Sequence, residues 1–264
     1  MKLTISVLSK PGGRTSNEDA YGVWSTPSAC FCVVADGAGG HLGGSAASKL
    51  AVKSILEWFS RSGDGAASAV ASALKAANQA IVEQQLRSPE VADMRATALV
   101  LAVDTVHATA CWGHIGDTRL YCFRDQRIVV QTRDHSMVQS MVDAGYLAPQ
   151  ALRAAPSRNV LLRALGDVGN FEPCIEVSPF SMRDGDIFLL CTDGLWEYID
   201  EAQMEQLLRL SQSPQTWLRQ LESEVLEHGQ AGHDNYSALV IACSESDGPA
   251  PITPLREADQ TRGH

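Results

Sequence analysis

The sequence predicts an α+β fold: two packed antiparallel β-sheets, a β-sandwich, flanked by helix pairs on both sides in α-β-β-α layers. Three observations lead there. Short runs of β-branched and apolar residues fall into two groups along the chain. A pair of amphipathic helical patterns goes with each group. The connections between neighbouring runs in 96–131 are a few residues long, the cadence of a meander of adjacent antiparallel strands. Two sheets packed face to face, with helices over their outer faces, would bury all four amphipathic stripes.

In chain order, residues 2–8, 19–24 and 29–35 read as strands, each short and rich in β-branched or apolar side chains. Residues 44–60 place Ala47, Leu50, Ala51, Ile55, Trp58 and Phe59 on one helical face. After the break "SRSGDG", residues 66–87 repeat the pattern with Val70, Leu74, Ala77, Ile81 and Leu86. Strand character returns at 96–103, 106–114, 118–124 and 127–131. Residues 136–166 have a short helical piece, two prolines and little period, and read as an irregular excursion over the surface. Strands at 172–178 and 185–191, helices at 201–210 and 214–228, and a last strand at 236–243 complete the order. The tail from Ser244 is polar and Pro-containing, which predicts disorder.

Composition narrows the function classes. A chain of 264 residues with 45% hydrophobic and 20% charged residues has the make-up of an ordinary globular protein. The net charge of −10 argues against nucleic acid and against an anionic membrane surface, both of which need clustered Lys and Arg. Seven scattered cysteines, most inside apolar runs such as "ACFCVVA", read as buried hydrophobes in a reducing compartment. The start "MKLTISVLSKPGG" alternates like a strand and is too short for a signal-peptide core. No apolar stretch approaches 18 residues, so the expectation is a soluble cytoplasmic protein.

The informative feature is where the acids sit. "VVADGAGGHLGG" stops an apolar strand on Asp36 and continues almost without side chains. Glu18 and Asp19 precede a strand, Asp117 occupies a turn between two, Asp193 ends "IFLLCTDG", and Asp234 stands before the last strand. A lone Asp-Gly is usually a turn, because Asp caps its own backbone. Five similar placements are harder to dismiss, since antiparallel strands gather their ends at two rims. Carboxylates converging on one rim repel each other, and bound cations make that tolerable. An all-oxygen set without Cys/His spacing suits a hard ion, Mg²⁺ or Mn²⁺, and Gly37 would let a backbone carbonyl approach it. A phosphate-cradling loop would need G-x-x-x-x-G-K-[ST], which is missing here.

These pieces match a known family in order. "RTSNED" (14–19), "VVADGAGGH" (33–41), "GHIGDTRLY" (113–121), "TRDHS" (132–136), "RNVLLRALG" (158–166), "CTDGLWE" (191–197) and "GHDNYSALV" (232–240) make the chain resemble the metal-dependent serine/threonine protein phosphatases of type 2C, in their compact bacterial form. The resemblance covers about residues 5–243 and implies a single phosphatase catalytic domain over 1–243, with 136–166 as a flap-like segment and 244–264 as a disordered tail. It implies that Asp36 bridges two metals, that Asp193 and Asp234 complete one shell, and that Glu18, Asp19 and the Gly37 carbonyl serve the other. Asp117 would hold a third, weaker ion, and Asn235 would support the site from behind. Arg14 matches the arginine that grips the substrate phosphate, a role suited to a bidentate guanidinium. The implied cofactor is Mn²⁺ or Mg²⁺, two per site, activating a shared water to attack phosphorus in line. The implied partners are phosphorylated proteins, the substrates of a cognate serine/threonine kinase, with no nucleic acid and no membrane; a monomer is expected.

The departures are local. Animal members carry a histidine two residues after the bridging Asp, where this chain has Ala38. His41, nearby, is a candidate proton donor or a residue that orders the loop. The family's Gly-Thr-Thr after a methionine appears as Arg95-Ala96-Thr97, and its His-Pro as Ala155-Pro156. Arg95 reads either as a surface residue beside a strand or as an added cation at the site's edge. His107, His114 and His135 read as structural, and Trp24, Trp58, Trp112 and Trp196 as core. Two rival functions stand beside the phosphatase: a metal-dependent phosphohydrolase of small molecules, and a catalytically silent phosphopeptide-binding module. The silent module would require a lost ligand, and none is lost.

Overall fold

The computed structural model describes residues 1–169 and 171–245, the His41 side chain excepted. Of the tail predicted for 244–264, Ser244 is instead the last residue of a strand, paired along its length; the remainder from 246 and the His41 side chain lie outside the described residues. The strands are β1 (Lys2–Lys10), β2 (Ala20–Ser25), β3 (Ala29–Ala35), β4 (Gly37–Ala38), β5 (Arg95–Ala96), β6 (Ala98–Asp104), β7 (Thr109–Ile115), β8 (Arg119–Arg124), β9 (Arg127–Gln131), β10 (Cys174–Ile175), β11 (Phe180–Ser181), β12 (Ile187–Cys191) and β13 (Tyr236–Ser244). The helices are α1 (Gly40–Ser62), α2 (Ala67–Arg87), α3 (Met137–Asp143), α4 (Asp193–Trp196), α5 (Glu201–Leu210) and α6 (Pro214–His228).

Among the described residues, one antiparallel sheet has the order β1-β13-β12-β8-β9 and the other β10-β7-β6-β3-β2, with β11 also on β7. A small β4-β5 ladder stands apart. The predicted layers are present. Residues Cys30, Cys32 and Val34 of β3 meet Leu120, Leu190 and Leu239 in the core between the sheets. Alternate residues Phe31, Val33 and Ala35 face α1 and α2 through Ala51, Ile55, Leu74 and Ile81. On the far side, Leu189, Ala238 and Val240 pack on Trp217, Leu221 and Val225 of α6 and on Met204 of α5. This explains why β3 is buried at every position. A strand between a sheet and a helix layer has no solvent face, so its sequence loses the polar alternation.

The structure corrects some details. The predicted strand at 172–178 shrinks to β10, and β11 follows beyond its end; both are laid antiparallel on β7. Helix α1 starts at Gly40, inside the glycine-rich stretch, four residues earlier than apolar period alone indicates. It ends on Gly63, whose φ of 64° is the left-handed C-terminal cap that favours glycine. Leu86, placed on a core face by its spacing, is 83% exposed in the last turn of α2, and Trp24 on edge strand β2 is 42% exposed. Six cysteines are buried and Cys174 is exposed. No helix among the described residues is long and apolar enough to cross a membrane.

Candidate metal centre

Strand register brings the acids together. In one sheet Ala20 pairs with Ala35, which sets Asp19, just before β2, opposite Asp36, just after β3. In the other, Cys191 pairs with both Arg119 and Ala238. The end of β12 therefore faces the starts of β8 and β13, and Asp193 comes up beside Asp117 and Asp234. Among the ties between the two sheets at this rim is the hydrogen bond that Thr192 Oγ1 donates to Asp19 Oδ2 at 2.9 Å.

Burial and mutual charge dominate the electrostatics. Desolvation pushes the Asp36 carboxyl well above its ordinary range, and the charges of Asp193, Asp19, Asp117 and Asp234 push it further. Asp193 is raised likewise, by burial first and then by Asp117, Glu197, Asp234 and Asp19. Asp19 rises to about 6, mainly through burial, although the Thr192 hydroxyl donates to it and Ser237 lies close behind. Asp117 rises to about 7 by burial and by the charge of Asp134, partly offset by Arg119.

Close backbone approach shapes the remainder. A Cβ on Gly44 would collide with Glu18 Oε2 and come within 2.8 Å of the Gly37 carbonyl oxygen, so three elements meet where α1 begins. A Cβ on Gly194 would collide with the Asn235 carbonyl. Asn235 is fully engaged: Oδ1 accepts the Glu18 N–H at 2.7 Å, and Nδ2 donates to the carbonyls of Pro11 and Ser16 at 2.8 and 2.9 Å. It thereby fixes the 11–18 loop that carries Arg14 and Glu18. Arg14 Nη2 lies 3.1 Å from Asp234 Oδ2, half-exposed at the mouth.

Known proteins resemble this chain in sequence and in fold. Residues 12–229 match the Protein phosphatase 2C family. The chain belongs to that family. It is 31% identical over 238 residues to the serine/threonine protein phosphatase PstP of Mycobacterium tuberculosis, covering 89% of this chain and 43% of PstP. The chain thus spans less than half the length of that relative. It is 30% identical over 237 residues to the serine/threonine phosphatase stp of Listeria monocytogenes, covering 86% of this chain and 90% of stp. The crystal structure of the PstP catalytic domain in complex with two manganese ions superposes with a TM-score of 0.77 at 28% identity, over 92% of this chain and 99% of that one.

This type 2C rim suits hard cations. Asp19 Oδ1 is buried without a hydrogen-bond partner in the protein, and the carboxylates around it oppose one another's ionisation. All the donors are oxygens. Among the described residues, no three His, Cys, Asp or Glu side chains are already drawn together as a closed cage. The carboxylates lie within electrostatic reach of one another without closing on a common point.

Several contributors were not singled out from sequence. Glu197, four residues after Asp193 in "CTDGLWE", adds its charge to both Asp193 and Asp117 and is held by Arg158 Nε at 2.7 Å. Arg158 belongs to the 136–166 segment, which it anchors at the rim. Thr97 Oγ1 accepts the Asp36 N–H at 3.0 Å and lies 2.5 Å from Thr118 Oγ1. Behind Asp117, Arg119 makes paired hydrogen bonds of 2.8 and 2.7 Å to buried Asp134 and lies 3.6 Å over the Trp196 ring. Trp196 Nε1 in turn donates to the Asp117 carbonyl. His114 and His135 stack with centroids 4.8 Å apart, and burial pulls His135 down to about 4, which fits a structural role. The i+4 spacing of Glu197 on a helical turn is a readable signal; the threonine and arginine ties are not.

Proposed function

We propose that this chain is a metal-dependent protein phosphatase that hydrolyses phosphoserine and phosphothreonine on protein substrates. The observation that carries the reading is the convergence of Asp19, Asp36, Asp117, Asp193 and Asp234 on one rim, where burial and neighbouring charge oppose the ionisation of Asp19, Asp36, Asp117 and Asp193. Names of the aligned relatives support the substrate class. Residues 1–243 form the catalytic domain in this reading, with 136–166 as a flap and a kinase of the same cell supplying the phosphoproteins. The working form is a monomer in the cytoplasm.

Asp36, Asp193 and Asp234 would hold one cation; Asp36, Glu18, Asp19 and the Gly37 carbonyl would hold the other, with Asp117 at a weaker third position. When bound, Mn²⁺ or Mg²⁺ supplies Lewis-acid activation of water and neutralisation of phosphoryl charge. The chain's own residues do the rest. Arg14, on a loop pinned by Asn235, offers a forked donor to the phosphate oxygens from the mouth of the site. Asn235 fixes Glu18 through its backbone, and Thr192, whose hydroxyl accepts the Ser237 N–H, orients Asp19. Ala38 carries no proton to give, so the leaving oxygen is protonated from elsewhere.

Hydrolysis of a phosphothreonine peptide with Mn²⁺, then with EDTA, tests the reading. Activity should require metal and fall at least about a hundredfold in Asp193→Asn. Activity that survives both treatments would remove the metal centre from the mechanism.

A further inference from the structure

We propose that Arg95 is a specificity-determining residue that reads an acidic side chain near the phosphorylated residue; this rests on the phosphatase reading above. The placement comes from the β4-β5 ladder. Thr97 N–H donates to the Asp36 carbonyl at 2.8 Å, Gly37 pairs with Ala96, and Ala38 pairs with Arg95. Directly opposite residues of an antiparallel ladder share a face, and alternate residues return to it. Asp36, Ala38, Thr97 and Arg95 therefore emerge on the same side, whereas Gly37 and Ala96 face the other.

Ala38 is exposed and carries only a methyl group, so the ledge between Asp36 and Arg95 is low. Two residues of strand span about 7 Å. An extended peptide whose phosphate sits over Asp36 advances by the same rise, which brings a side chain two or three residues away level with Arg95.

The guanidinium is held but not used up. Its Nη1 lies 3.0 Å from Asp167 Oδ1, with side-chain exposures of 54% for Arg95 and 17% for Asp167. Asp167 is delivered there by the bridge between Ala96 and Leu165. One carboxylate leaves several of the five N–H donors of an arginine open. Asp167 thus acts as a positioning residue that points Arg95, while the remaining donors face solvent along the substrate's path. In a chain of net charge −10 with an acidic catalytic rim, an exposed arginine on this face offsets the repulsion an acidic peptide would otherwise meet.

The test uses three phosphothreonine peptides of one sequence, carrying Gln at both flanks, Glu two residues before, or Glu two residues after the phosphothreonine, assayed with saturating Mn²⁺. The intact chain should favour one Glu peptide over the Gln peptide by about two- to fivefold in kcat/KM, the range of an exposed ion pair. That preference should fade at high salt. Arg95→Gln should bring the ratio to one, Arg95→Lys should keep part of it, and Asp167→Asn, which loosens the aim of the guanidinium, should lower it. A ratio of one in the intact chain, or one unchanged in Arg95→Gln, would overturn the inference and leave the phosphatase reading intact. Failure to hydrolyse any of the three peptides would sink both.

Discussion

Thr97 holds both backbone groups of the residue on which the site turns. Its hydroxyl accepts the Asp36 N–H, its own N–H donates to the Asp36 carbonyl, and its oxygen meets Thr118 beside Asp117. Thr97→Val keeps the shape and strand preference but leaves a partly buried N–H and a buried hydroxyl without partners. The expected cost is about 1–3 kcal/mol in urea unfolding with EDTA present. The manganese concentration for half-maximal hydrolysis should rise several-fold, and Thr97→Ser should restore it. An unchanged manganese requirement in Thr97→Val would reduce Thr97 to packing. This tie marks a boundary of what the sequence discloses. Asp36 and Asp193 stand out because each ends an apolar run and precedes glycine. Thr97 and Thr118 look like ordinary strand residues, and 21 positions separate them. Arg119 and Asp134 show the same limit: their pairing depends on a chain path that no local period encodes.

At the scale of elements, legibility follows the strength of local signals. Helices α5 and α6 start and stop where the sequence places them, because Asp200 with Gln203 forms a capping box and Ser213 caps ahead of Pro214. Helix α1 defeats the same reading at its start, since Gly40 and Gly43, ahead of the expected start at Gly44, carry no apolar period and yet are helical. The smallness of Gly44, and to a lesser degree of Gly43, serves the neighbouring elements. The first turns of α1 press against the Gly37 carbonyl and the Glu18 carboxylate with no Cβ between them. Gly44→Ala would favour the helix by roughly 0.5–1 kcal/mol on propensity alone. It would also drive the new methyl into Glu18 Oε2 and toward the Gly37 oxygen. Helix content should therefore persist in circular dichroism while manganese affinity, measured by calorimetric titration, drops about tenfold or more. Wild-type affinity in Gly44→Ala would mean that Glu18 and the Gly37 carbonyl are not ligands.

For the whole molecule, the layers follow from period and grouping, because strands buried on both faces and helices with one apolar stripe admit few arrangements. What period cannot supply is the alignment of two sheets that sets Asp19 and Asp36 against Asp117, Asp193 and Asp234. That alignment carries an energetic consequence. Without metal, each of the raised carboxyls binds its proton more tightly folded than unfolded, where it titrates in the ordinary carboxylate range. Such a group supports the fold at low pH and loses that support as pH rises through its folded value, here about 6 for Asp19 and about 7 for Asp117. His135, pulled down to about 4, works in the opposite direction, but it is common to the intact chain and to Asp193→Asn and cancels in their difference. In EDTA, Asp193→Asn should therefore melt at a higher temperature than the intact chain at pH 8, with the gap closing toward pH 4. Adding Mn²⁺ at a hundred times its dissociation constant should stabilise the intact chain by about 2.7 kcal/mol and the variant by much less, reversing their order. Equal melting temperatures in EDTA across this range would mean that the rim carries no stored repulsion, and the case for cations as its natural counterpart would fall with it.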